Sequence, residues 1–153
     1  MILEISSIGN EIREIREFIT SSSIISPHKS CNSDYDLGIF AKKLYLSRRD
    51  RESNFPSPGM FHDPAWDILL DMFISYSENK FISVTDATLA GQVPATTALR
   101  WLWSLEKAGM IERKPDNSDK RRSFVTLTEA GLSHMRQILQ AMDKRMTSPL
   151  LPR

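Results

Sequence analysis

A mainly α-helical fold with one small β-hairpin is what this sequence predicts, and three observations point to it. The run PATTALRWLWSLEKAGM is helical, opened by Pro94 and closed near Gly109. Directly after it come IERKP, the polar tip DNSDKRR and SFVTLT, whose flanks alternate side chains as strands do. Upstream and downstream, apolar residues recur at helical spacing. A short helix leading straight into a charged hairpin suits a winged helix-turn-helix domain. In that arrangement one element enters the major groove of DNA and the other grips the backbone or minor groove.

Each element has its own local reason. Ile5, Ile8, Ile12, Ile15 and Ile19 are spaced 3, 4, 3 and 4, a heptad stripe with Glu11 and Arg16 at flanking positions. A stripe this apolar needs a partner, either a second copy of the chain or the domain's own helices; dimerisation is the preferred reading. Residues 1–33 are therefore expected to form an N-terminal helix and linker, a dimerisation arm, and residues 34–153 the winged-helix domain. SSSIISPHKSCNSD reads as a polar linker around Pro27, after which Asp34 is expected to cap a helix to about Glu52. That helix sets Leu37, Phe40, Ala41 and Leu44 on one face. Asp63 and Pro64 start the next helix, with Trp66, Leu69, Leu70 and Phe73 turned inward. Thr85 is expected to cap a short helix TDATLAGQ, and with the run after Pro94 it makes the helix-turn-helix pair. A last helix spans Glu129 to about Met146, with Leu132, Met135, Ile138 or Leu139, and Met142 as its apolar stripe. This C-terminal helix is core or a second dimer seam.

Composition limits the function. The 153 residues are 41% apolar, enough for a core, and the formal net charge of +1 gives no global sign of a polyanionic partner. The distribution does: between Pro94 and Thr128 seven Lys/Arg stand against four acids. A second basic cluster, Lys42, Lys43, Arg48, Arg49 and Arg51, suits either a helix C-terminus or a phosphate. Cys31 is the single cysteine, so no intrachain disulfide can form, and a reducing, cytoplasmic setting is expected. No secretory signal and no membrane span is read in the sequence. His28, His62 and His134 are scattered, and neither a metal-ligand spacing, a phosphate loop nor a nucleophile motif is found. No metal, no cofactor and no enzymatic activity is expected.

The DNA-facing residues follow from helix geometry. The first turns of the helix over 94–108 meet base edges, with Ala95, Thr96, Thr97 and Arg100 outward and Ala98, Trp101, Leu102 and Leu105 inward. Arg100 can take a guanine bidentately. Leu99 and Trp103 are odd on such a helix: either they touch thymine methyls or sugars or they pack on a neighbouring helix, and packing is the preferred reading for Trp103, which lies too far along the helix for base contact. In the wing over 113–128, Lys120, Arg121 and Arg122 are three consecutive cations for the backbone or a narrow minor groove, with Asp119 holding an arginine in place.

With helix pair and wing assembled, the chain resembles the MarR family of winged-helix transcriptional regulators. The resemblance rests on Thr97, Arg100, the run Leu105 to Arg113, and Asp116, Asp119, Arg121, Val125, Leu127, Thr128 and Gly131, which match a wing pattern D-x-R-D-R-R-x-x-x-V-x-L-T-x-x-G. Ser118 and Lys120 stand where arginines are usual, which makes Arg121 and Arg122 the better minor-groove candidates. The resemblance spans roughly residues 37 to 145. It implies a homodimer on a pseudo-palindromic operator in double-stranded DNA, its two reading helices about 34 Å apart. It also implies release by a small, often aromatic effector or by an oxidant, for which Cys31 lacks a resolving partner. The competing reading is a winged-helix protein–protein interaction module without specific DNA binding, anchored by Trp103 and Leu99.

Overall fold

The computed structural model describes residues 33–54, 56, 59, 61–119 and 121–148. The isoleucine stripe, Cys31 and Lys120 lie outside them. Among the described residues the order is α1 (Asp34–Ser53), α2 (Pro64–Ser77), β1 (Ile82–Ser83), α3 (Val84–Ala90), α4 (Ala95–Lys107), β2 (Ile111–Pro115), β3 (Ser123–Leu127) and α5 (Glu129–Thr147). The fold is a winged helix-turn-helix: α3 and α4 are the helix pair, and β2 and β3 the wing. The sheet is antiparallel in the order β1-β3-β2, with Ile111 opposite Leu127, Pro115 opposite Ser123 and Ile82 opposite Val125.

Helix starts show where local chemistry competes. Asp63 caps α2 as expected, accepting from the Trp66 amide with Pro64 in the first turn. At α1 the cap is Ser33 instead of Asp34, its hydroxyl accepting from the Asp36 amide at 3.1 Å. Asp34 enters the first turn, where its charge favours the helix dipole and its carboxylate is free to reach across the fold. At α3 the cap is Ser83 instead of Thr85. Ser83 and Asp86 form a reciprocal capping box, with the Asp86 carboxylate accepting from the Ser83 amide and hydroxyl. That exchange holds the Asp86 carboxyl below the usual carboxylate range, the Ser83 hydroxyl bond contributing most. Thr128 caps α5 and ties it to the end of α4, donating its hydroxyl to Gly109 O at 2.6 Å.

The core joins Leu37, Phe40 and Ala41 of α1 to Ile68, Leu70, Met72 and Phe73 of α2, with Leu102, Ile111, Val125 and Leu127 below and Leu132, Met135 and Leu139 of α5 beside them. Leu139 is the residue of α5 that faces inward; Ile138 is 44% exposed. Trp101 does not join the buried side of α4 and is 42% exposed, because Ala98 and Leu102 occupy the line that meets the core. Helix α4 ends in a Schellman turn. The Met110 amide donates to Leu105 O and the Gly109 amide to Glu106 O, with Gly109 at φ 72°. This turn aims the chain from α4 directly into β2. No helix among the described residues is long and apolar enough to cross a membrane.

One ion pair spans the ends of the domain. Arg136 of α5 grips Asp34 of α1 with both Nε and Nη2 at 2.8 Å, and Tyr76 of α2 donates to the same carboxylate at 3.3 Å. The Arg136 hydrogen bonds hold the Asp34 carboxyl below its ordinary 3.8, and the pairing raises the guanidinium in turn. A depressed carboxylate contributes stability that is present above its unfolded value and lost as pH falls through its folded value. Asp34→Asn is therefore expected to cost about 1 kcal/mol at neutral pH, the upper end for a bidentate pair one third exposed. Thermal unfolding should show the wild-type advantage vanish below pH 3.8; an advantage that persists in acid would assign it to something other than this pair.

Candidate nucleic-acid interface

Helix α4 divides cleanly into two faces. Ala98 and Leu102 are buried, and Leu105 packs against the core. On the opposite side residues 96, 100, 103 and 107 follow spacings of 4, 3 and 4, so Thr96, Arg100, Trp103 and Lys107 share one line, and all four are exposed. Ala95 is exposed beside them and Thr97 half-buried at the edge. Pro94 is the N-cap and supplies no side-chain hydrogen bond, so the first amides of α4 carry the partial positive charge that favours a phosphate. Sequence reading thus placed Ala95, Thr96 and Arg100 on the outward face correctly. It misjudged Trp103, which is 61% exposed on the same line as Arg100 instead of packed on a neighbouring helix.

The wing tip is organised by its two aspartates. Asp116 accepts from the Ser118 amide and hydroxyl at 2.8 and 2.6 Å, which holds its carboxyl below the usual range. Asp119 accepts from the Arg121 amide at 2.9 Å, while its own carbonyl accepts from the Arg122 amide at 2.9 Å. Asp119 thus supports the wing through the backbone of Arg121, where sequence reading expected it to hold a guanidinium. The consequence suits the same end, since the exposed Arg121 side chain is presented while its main chain is fixed. The Arg122 guanidinium lies over the Phe124 ring, 5.3 Å from its centroid.

Behind the tip, Arg113, Arg121 and Arg122 converge with Ser83, Thr85 and Ser123 around an open hollow of about 300 Å³. Arg113 is paired, its Nε 3.0 Å from Glu106 of α4, so the wing's first strand is tied to α4. Three arginines with Thr85 and Ser123 give the hollow a cationic, polar lining of a kind suited to phosphate oxygens, while the Ser83 hydroxyl is committed to Asp86. Sequence reading counted Arg113 among the cations without giving it a site, because Ser83 and Thr85 are some thirty residues away in the chain.

The second basic cluster has a different use. Arg48 Nε is 2.5 Å from Asp67 Oδ1, and Arg49 donates to Ala90 O at 2.6 Å while stacking 4.4 Å from the Tyr45 centroid. These two arginines bind α1 to α2 and to the last carbonyl of α3. Arg51 lies over the Phe61 ring. His62 faces Glu52 at 3.4 Å, leaving Asp63 alone in the cap.

No protein-family model and no curated protein matches this chain. Some solved structures are similar. One is a MarR mutant from E. coli complexed with operator DNA, 19% identical over 71% of each chain with a TM-score of 0.46. A second is AbsC, a MarR family transcriptional regulator from Streptomyces coelicolor, 21% identical over 71% of this chain and 72% of that one, TM-score 0.46. A third is S. aureus MepR in its DNA-binding conformation, 19% identical over 74% and 80%, TM-score 0.46. At such identities and TM-scores these likenesses carry no argument, and both fold and function rest on this chain's own structure.

Proposed function

We propose that this chain is a sequence-specific, DNA-binding transcriptional regulator of the MarR type. The observation that carries the reading is the exposed Thr96–Arg100 face of α4, tied through Glu106 and Arg113 to a wing whose tip presents Arg121 and Arg122. Small and hydroxylated side chains in the first turn allow close approach to base edges, and Arg100 supplies the bidentate donor for guanine. Lys120, Arg121 and Arg122 take the backbone or a narrow minor groove, and the arginine hollow takes phosphate.

The protein acts as a homodimer on a pseudo-palindromic operator, with Ile5, Ile8, Ile12, Ile15 and Ile19 of the 1–33 arm as the seam. Gel filtration of a chain lacking residues 1–20 should give a monomer, and an unchanged dimer would discard that seam. Release by a small aromatic effector would act through the hollow of about 390 Å³ between α2, the sheet and α5, where Met72, Tyr76 and Phe81 sit beside Lys80 and Lys114.

Binding to a duplex selected by the protein from a random-sequence pool, measured against scrambled duplex at several salt concentrations, tests the reading. Arg100→Ala should remove about 1–3 kcal/mol of discrimination at one base position. Arg121→Ala should weaken all sequences alike and lower the log–log salt slope by about 1. The reverse pattern would exchange the two roles.

A further inference from the structure

The DNA reading leaves three exposed apolar side chains of α4 without a role, Leu99, Trp101 and Trp103. Trp103 is 61% exposed, and it lies on the line of Thr96 and Arg100, not on the flank. Leu99, one turn before it and 40% exposed, extends the indole into an exposed apolar pair on this side of the helix, the kind of feature that marks a contact surface. Lys107, one turn further on, holds its Nζ 5.3 Å from the Trp103 ring. The helix therefore presents an apolar plate with Arg100 on one side and Lys107 on the other.

That combination distinguishes the partner. An apolar pocket on a protein would accept the indole but would have to desolvate both flanking cations, which is costly without paired anions. A nucleotide offers what the plate needs: an apolar edge, in a deoxyribose face or a thymine methyl, next to a phosphate. Reach agrees. Trp103 stands seven residues beyond Thr96, about 10 Å along the helix axis. With Thr96 at the base edges, this brings the indole to the wall of a groove about 12 Å wide.

Resting on the function proposed above, we infer that Trp103 is a DNA-contact residue whose indole packs on an apolar nucleotide edge while Lys107 pairs with the adjoining phosphate. The duplex used above, selected from the random pool, serves as probe, in two forms: with thymine, and with deoxyuridine at every thymine in turn. Trp103→Ala is expected to weaken binding about 10-fold, the scale of one well-packed aromatic contact. Trp103→Phe should restore most of it, and Lys107→Met should lower the salt slope by about 1. A deoxyuridine position that weakens the wild type but not Trp103→Ala assigns the contact to a thymine methyl; a loss by Trp103→Ala with no such position assigns it to deoxyribose. Wild-type binding that Trp103→Ala leaves unchanged, with Arg100→Ala still impaired, overturns this inference alone. A wild-type chain that binds no duplex overturns the DNA reading, and this contact with it.

Discussion

Asp67→Ala is expected to destabilise the domain by about 3 kcal/mol, the low end for breaking a buried ion pair from one side. The Asp67 side chain is 4% exposed, with Arg48 Nε at 2.5 Å and Arg49 Nη2 at 3.9 Å. Neither Arg48 Nη2 nor Arg49 Nε has a hydrogen-bond partner among the described residues, so the cluster holds no spare acceptor to take over. Removing the carboxylate leaves two guanidinium groups facing each other at the α1–α2 seam. The effect reaches function because Arg49 also binds Ala90 O, the end of α3, and Tyr45 reaches that carbonyl too. On the proposed DNA reading, a loosened α3 changes the angle at which α4 is presented. Urea unfolding should show the loss directly, and Asp67→Asn, which keeps an acceptor but no charge, should fall between. A loss under 1 kcal/mol for Asp67→Ala would mean that the arginines are adequately hydrated without their partner.

Gly131→Ala is expected to cost about 3 kcal/mol, at the upper end of overpacking penalties. A Cβ at this position would lie 2.1 Å from Met110 O. That carbonyl cannot easily withdraw, since it accepts from the Thr128 amide at 3.0 Å, and the Thr128 hydroxyl, which donates to Gly109 O, lies 3.2 Å from it. The Thr128 hydroxyl also accepts from the Gly131 amide at 3.0 Å. The spacing of Thr128 and Gly131 is thus the cap of α5 and the docking of the α4–β2 turn in one device. Gly109 is a useful contrast. Nothing lies within 4 Å of its added Cβ, but its φ is +72°, so Gly109→Ala should cost only the left-handed penalty of about 1–2 kcal/mol. Thermal unfolding of the two variants should rank Gly131→Ala as the worse. The opposite order would show that the turn yields more easily than its hydrogen bonds suggest.

What was legible in the sequence was local. Asp63-Pro64 announced α2, Gly109 announced the end of α4, and the alternation of SFVTLT announced β3, because each signal is complete within a few residues. Cap positions at Ser33 and Ser83 were missed where two or more acceptors stand close together in the chain; reciprocal bonding with Asp86 decided the second. Strand β1 has two residues, and its pairing with β3 depends on chain some forty positions away. Arg48 and Arg49 looked like a possible phosphate patch because Asp67 and Ala90, which claim them, lie far along the sequence. Of the candidate interface, the outward placing of Thr96 and Arg100 followed from periodicity. The same periodicity, extended one turn, contains Trp103 and Lys107. There the distance of Trp103 from the first turn, too great for base contact, favoured packing on a neighbouring helix over the outward spacing.

Methylation interference tests the docking of α4 most directly. Duplex selected by the protein is lightly methylated at guanine N7, which projects into the major groove, and the bound and free fractions are compared. The expected result is exclusion of methylated guanine from the bound fraction at one or two positions per half-site, with Arg100→Ala losing that exclusion at one of them. Equal methylation of bound and free duplex at every guanine would contradict a helix reading bases through Arg100 in the major groove.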